Sequence, residues 1–218
     1  MQTLRELGKQ RRRDDVLVAA RALVVEGGAD ALTMRALAAR AGVSVPTVYG
    51  LIGGREAVIA AMLERGGDEF ERALATADGD PIVRIHAALD VYAAGLDANQ
   101  DVVRALMGPE VAGTDAPGAA RHRLRTFCTD ALRDAQGAGI LDRACPAEEL
   151  GAHLDALVLG AVTRWAGHPA GVDALTARLH HAAAMLLAAH ARADARDRLR
   201  RACDRAARAL RGAEALSA

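Results

Sequence analysis

The sequence predicts an all-α protein of about nine or ten helices, a small bundle of short ones followed by a larger bundle of long ones. Three observations lead there. The apolar content is mostly Ala, Leu and Val, with only two Tyr, two Phe and one Trp, and a single lysine, Lys9, stands against 27 arginines. Ala, Leu and Arg head the helix propensity ranking, whereas strands favour the β-branched and aromatic types that are scarce here. Apolar residues recur at helical spacing from Asp14 onward, and Gly and Pro interrupt them at intervals that suit helices and leave no room for strands. With 218 residues, 51% hydrophobic and 26% charged, the chain can bury a large core.

Val16, Ala20, Leu23 and Val24 form the stripe of a first helix that starts near Asp14 and ends at Gly27 and Gly28. Two short helices follow, Thr33–Ala41 and Val45–Leu51. A longer one begins after Gly53 and Gly54 and runs through Val58, Ala61, Met62 and Phe70 to about Ala77. Asp78, Gly79, Asp80 and Pro81 then mark a boundary, with Pro at the first position of the next helix. Further helices are expected at about 81–97, 99–107, 117–136, 146–166, 171–190 and 192–212. The predicted division is a basic arm without fixed structure (1–13), a three-helix head (14–53), a connecting helix (54–77), a body (78–190) and an Arg-rich C-terminal helix and tail (191–218).

Net charge is formally zero, yet both ends are basic. Residues 1–13 carry Arg5, Lys9, Arg11, Arg12 and Arg13 against Glu6, and residues 192–211 carry eight Arg against three Asp. Such patches attract a polyanion locally, within roughly 10 Å at ordinary salt. Cys128, Cys145 and Cys203 lie far apart, which suggests neither a disulfide framework nor a zinc knuckle. The longest apolar run, Ala182–Ala189, is far short of the roughly 20 residues that span a bilayer. No apolar stretch follows the basic start as an export signal requires. A cytoplasmic protein without a membrane partner is expected.

Thr33–Ile52 holds the clearest motif. Leu37, Ala38, Ala41, Val43, Val48 and Leu51 fall where two steeply crossing short helices would bury them against each other and the first helix. Gly42 stands where the turn needs positive φ, Ser44 can cap the second helix, and Pro46 is tolerated in its first turn. That spacing is a helix-turn-helix. Its outer face carries Ser44, Val45, Pro46, Thr47 and Tyr49, with Thr33 and Arg35 at the start of the preceding helix. Short hydroxyls, a phenol and a guanidinium suit phosphate oxygens and base edges in a major groove. Arg11, Arg12 and Arg13 could extend the contact as an arm along the minor groove.

The stretch TMRALAARAGVSVPTVYGLIGGREAV, within about 50 residues from Asp14 to Leu63, resembles the DNA-binding segment of the TetR family of transcriptional regulators. The resemblance implies that Thr33, Ser44, Thr47 and Tyr49 contact the operator backbone, that Arg55 takes the place of a basic phosphate contact opening the fourth helix, and that Val45 and Pro46 face the bases. Leu51 and Ile52 stand where the family commonly has His-Phe, and Pro46 replaces a frequent Gly.

For the rest of the chain the resemblance implies a homodimer with a cavity for a small hydrophobic or amphipathic effector, and therefore a ligand-responsive repressor of a palindromic operator. Apolar pocket candidates are Leu89, Tyr92, Leu96, Val103 and Met107, then Phe127, Cys128, Leu157 and Trp165. His86, Arg123 and His153 are candidate polar anchors. Interface candidates are Leu157, Gly160, Ala161, Leu175, Leu179, Ala183 and Leu186, on two helices that could form a four-helix dimer core. Ordinary core is the competing reading for each apolar member. Two other functional readings stand beside the repressor: a constitutive DNA-binding or protein-binding helical dimer without an effector, and, more remotely, an enzyme using the body cavity.

No metal, cofactor or catalytic residue is expected. His180 and His181 are adjacent and point about 100° apart on a helix, and nothing near the cysteines supplies an oriented base. At the C-terminus, Leu199, Cys203, Ala206 and Leu210 form one stripe of an Arg-rich amphipathic helix.

Overall fold

Helix is the only regular structure formed by the residues that the computed structural model describes, 4–63, 74, 79–106, 118–168 and 171–215. Among them are α1 (Leu4–Ala31), α2 (Met34–Arg40), α3 (Val45–Leu51), α4 (Arg55–Leu63), α5 (Pro81–Asp97), α6 (Gln100–Leu106), α7 (Gly118–Gly137), α8 (Ala147–Ala166), α9 (Val172–Ala189) and α10 (Ala193–Ala215). They fall into two compact units, residues 1–65 with 99–119, and residues 66–98 with 120–218.

The first unit is the head. α1 is longer than expected, because Leu4–Arg13 are helical rather than a structureless arm. Leu, Glu, Gln and Arg are good helix formers, and Gln10 donates to Asp14 one turn on. Arg11, Arg12 and Arg13 therefore ride on this helix, and the Arg12 guanidinium donates to the Gly8 carbonyl. Regular helix breaks at Gly28, whose φ of 73° and ψ of −171° kink the chain before its last turn. Val16, Ala20 and Val24 of α1 meet Leu37 and Ala38 of α2, Val48 of α3, and Val58 and Met62 of α4 in one apolar cluster.

That cluster has a contributor the periodicity does not assign to it. Val102 and Leu106 of α6, expected in the body, are buried in the head instead. Fully burying such side chains stabilises by about 1.5–3 kcal/mol each, which is what holds α6 on α1. Arg21 Nη1 of α1 donates to Asn99 Oδ1 at 3.0 Å, just before α6, where Asn99 is buried.

In the second unit, α9 packs against α5, α8 and α10. Leu175, Leu179 and Leu187 of α9, Ile85 and Leu89 of α5, Leu150 of α8, Leu132 of α7 and Leu199 of α10 are fully buried. Asp80 caps α5 by accepting from Ile82 N at 2.8 Å, and its other oxygen pairs with Arg198 of α10. The α7–α8 loop meets the α9–α10 turn through Asp142 N to His190 O (2.8 Å) and Arg192 N to Ile140 O (3.0 Å). Gln136 pins the same loop by donating to the carbonyls of Asp142 and Cys145.

Candidate nucleic-acid interface

Two caps and one turn shape the exposed surface of the head. Thr33 Oγ1 accepts from Ala36 N at 3.1 Å and starts α2. Gly42, at φ 67°, turns the chain into Val43, and Ser44 caps α3 by accepting from Thr47 N at 3.3 Å. The Ser44 and Thr47 hydroxyls lie 2.7 Å apart. A hydrophobic residue before the cap that packs with one four positions after it fixes the entry angle of a helix, and Val43 and Val48 stand in those places in the head cluster. With Val48 fully buried, the opposite side of α3 is left outward.

On that outward side Tyr49 is 54% exposed, an unusual place for a large ring, and its Cε1 lies 3.8 Å from where a Cβ on Gly54 would be. Ser44, Pro46 and Arg35 are exposed and Thr47 is half-buried. Hydroxyls, a phenol and a guanidinium thus occur together on a rigid three-helix scaffold, without a hydrophobic partner surface of their own. Such groups can donate to phosphate oxygens and base edges.

Two expected positions behave differently. Val45 is half-buried and packs against the head core rather than standing fully outward, because the first turn of α3 lies close to the cluster that Val43 and Val48 join. Arg55 turns inward: its Nε donates to Leu32 O at 3.0 Å and its Nη2 to Ala29 O at 2.8 Å. A bidentate pair, Arg40 on Glu26, braces α2 to α1 and holds the Glu26 carboxyl below its ordinary range through the Arg40 hydrogen bonds. Nothing in the local pattern flags that pair, since its members lie 14 residues apart.

The body candidates also separate. Leu89, Tyr92, Cys128 and Trp165 are buried in the second unit, and Leu96, Arg123 and Phe127 are half-buried. Burial pushes the Tyr92 hydroxyl and the Cys128 thiol each up to about 12. Arg84 stands over the Phe127 ring, 5.3 Å from its centre. Val103 is buried on α6 and so belongs to the head unit rather than the body. Met107 lies outside the described residues. His153 and Leu157 are exposed on α8 of the single chain, Leu157 at the edge of the face that buries Leu154, Val158 and Ala161.

His86 meets His180 edge to face, ring centres 4.7 Å apart, and its buried Nδ1 has no hydrogen-bond partner among the described residues. Burial, with the neighbouring His180, holds its pKa down at about 4. His180 Nε2 is 2.7 Å from Asp90 Oδ1, ion-pair distance without hydrogen-bond alignment. Among the described residues no group of His, Cys, Asp and Glu is arranged to hold a metal.

Sequence reasoning missed the pair Arg121 and Asp155. Arg121 Nε and Nη2 donate to the two Asp155 oxygens at 2.7 and 2.6 Å, joining α7 to α8 with both side chains mostly buried. A usable signal existed, because Asp155 is the sole acid between Leu150 and Trp165. An acid in such a run needs a buried partner. Of the interface candidates, Ala161, Leu175, Leu179 and Ala183 are buried within the single chain and unavailable to a second copy. Their faces are already covered by the packing of α8, α9 and α5. Leu157 and Gly160 remain exposed and Leu186 half-exposed, with Met185 exposed beside it.

Comparison with known proteins agrees with this geometry. Residues 16–62 match the family model of the bacterial regulatory proteins of the tetR family. No curated protein matches the chain. Among solved structures, SmeT, the repressor of the Stenotrophomonas maltophilia multidrug efflux pump SmeDEF, is 26% identical over 84% of this chain and 92% of that one, with a TM-score of 0.58. CprB, a TetR family protein from S. coelicolor A3(2), is 20% identical over 92% of this chain and 98% of that one, TM-score 0.58. The fatty acid degradation regulator FadR from Bacillus halodurans is 16% identical over 81% and 94%, TM-score 0.58. The last two likenesses bear on the fold alone. No helix among the described residues is long and apolar enough to cross a membrane. The capped helix-turn-helix thus lies within the segment, residues 16–62, that is similar to the bacterial regulatory proteins of the tetR family.

Proposed function

We propose that this regulator is a cytoplasmic repressor that binds a palindromic operator as a homodimer and is released by a small hydrophobic effector. The observation that carries the DNA reading is the outward side of α3, where Ser44, Thr47 and Tyr49 stand on a fully buried Val48. In this reading Thr33 and Arg35, both exposed, add phosphate contacts at the start of α2, and Arg11–Arg13 contribute from the basic end of α1. One head covers too few base edges to be selective, whereas two heads related by a two-fold axis read half-sites about 34 Å apart. Leu157, Gly160, Met185 and Leu186, left uncovered by the single chain, are the residues for the partner copy.

An apolar effector suits the body, whose buried candidates Leu89, Tyr92, Cys128 and Trp165 carry no net charge. SmeT is named as an efflux-pump repressor, which supports the same class of regulation. The effector acts only if it binds one body conformation more tightly than another.

Selection of duplexes from a random pool with the full chain, followed by anisotropy titration at two salt concentrations, tests the DNA reading. A palindromic duplex retained at the higher salt is expected. Tyr49→Ala should weaken it by about tenfold, about 1.4 kcal/mol, with an unchanged unfolding midpoint. A chain that enriches no sequence would end the DNA reading, and an operator complex that no apolar compound dissociates would favour a constitutive regulator.

A further inference from the structure

Arg55 opens α4, the end of a helix where its own dipole disfavours a cation. The guanidinium finds a better place across the head. Its two hydrogen bonds end on Ala29 O and Leu32 O, at the kinked end of α1 and at the residue just beyond it. Carbonyls at a helix end lack intrahelical donors and attract positive charge.

Four further observations bear on the same joint. Val58, one turn after Arg55, is fully buried in the head cluster, and Ala61 and Met62 follow it there. Val58 N bonds Gly54 O at 3.0 Å, so the helix is regular from its first turn. Gly53 has φ 121°, and a Cβ there would stand 2.9 Å from Ala57 Cβ. Tyr49 of α3 lies against Gly54. A side chain at Gly53 would therefore press on Ala57 of α4, and one at Gly54 would touch Tyr49 of α3.

We infer that Arg55 is a positioning residue that locks the start of α4 onto the end of α1, so that α1 to α4 turn as one body and α3 is aimed without a hinge at Gly53–Gly54. Its side chain is not a phosphate contact, in contrast to what the family resemblance implies for this position. The inference rests on the operator reading for its effect on DNA, and on the head alone for the lock.

The full chain is compared with Arg55→Gln and Arg55→Lys. On the selected operator, Arg55→Gln should leave the salt slope unchanged, whereas loss of one phosphate contact from each of the two heads would lower it by about 1.8. One added base pair between half-sites rotates them by about 35°. A locked head should lose about tenfold or more on that duplex, and Arg55→Gln about threefold or less. Without DNA, amide exchange at Val58 and Ile59 should speed up about tenfold in Arg55→Gln, with Arg55→Lys between, since one ammonium replaces a two-pronged donor. A slope lowered by about 1.8 with spacing discrimination intact, or exchange unchanged in α4, overturns the proposal. If the unaltered chain selects no duplex, the operator reading fails, and the exchange comparison still decides the lock.

Discussion

Val102→Ala probes the membership of α6 in the head. Val102 is fully buried in the cluster built by α1 to α4, although about 40 residues separate it from the nearest of those helices in the chain. The truncation removes two methyl groups, about 1.6 kcal/mol of transfer free energy, and adds a cavity contribution of similar or smaller size. Alanine's better helix propensity returns up to about 0.7 kcal/mol. The net loss of about 2 kcal/mol corresponds to about 30-fold faster opening of the head. Hydrogen exchange should show it at the amides of Val16–Val24 in α1 and of α2. Trp165, the single tryptophan, is buried in the other unit, and its fluorescence reports on that unit separately. Unchanged protection in α1, with losses confined to α7, α8 and α9, would refute the assignment of α6 to the head.

Three other outcomes are expected. Gly151→Ala places a Cβ 2.1 Å from Thr129 Oγ1, which is itself bonded to Arg125 O; overpacking of this kind costs about 1–3 kcal/mol. Gly151→Ala with Thr129→Ala should regain most of the lost thermal midpoint, and strictly additive losses would disprove the contact. Asp155→Ala removes both hydrogen bonds that the mostly buried Arg121 guanidinium makes to Asp155 and should cost about 1–3 kcal/mol in urea unfolding. Asp155→Leu with Arg121→Met should return near the starting stability, and a cost below about 1 kcal/mol for Asp155→Ala would mean that solvent screens the pair. His86 keeps a folded pKa of about 4, below its unfolded value of about 6.5. Between those values the unfolded chain binds the proton and the folded chain does not, so its contribution, of order 3 kcal/mol, is complete above pH 6.5 and lost as pH falls towards 4. His86→Gln should flatten that part of the stability profile, and a profile identical to that of the unaltered chain would refute the argument.

What the sequence by itself determined was local. Helix positions followed from 3.6-residue periodicity and from Gly and Pro breaks, and Pro81–Asp97 and Val45–Leu51 carry the bounds that spacing predicts. The recognition motif was equally legible, because a cap such as Ser44 with Thr47, and a turn such as that at Gly42, are made by residues two to four apart. The resemblance to TetR regulators rests on the same short-range pattern. The helical start at Leu4 escaped because basic residues suit a solvated tail and a solvated helix equally well.

Only the tertiary structure decided which distant residues meet. An amphipathic stripe states that a face will be covered and is silent about what covers it. Leu175, Leu179 and Ala183 therefore suited a dimer interface as well as the interior of one chain, and the packing of α9 among α5, α8 and α10 chose the interior. Val102 and Leu106 suited either unit until α1 covered them. Arg55 carries the same charge whether it meets a phosphate or a carbonyl. Ala29 O and Leu32 O, 26 and 23 residues away in the chain at and just beyond the end of α1, are the partners that the folded head brings to it.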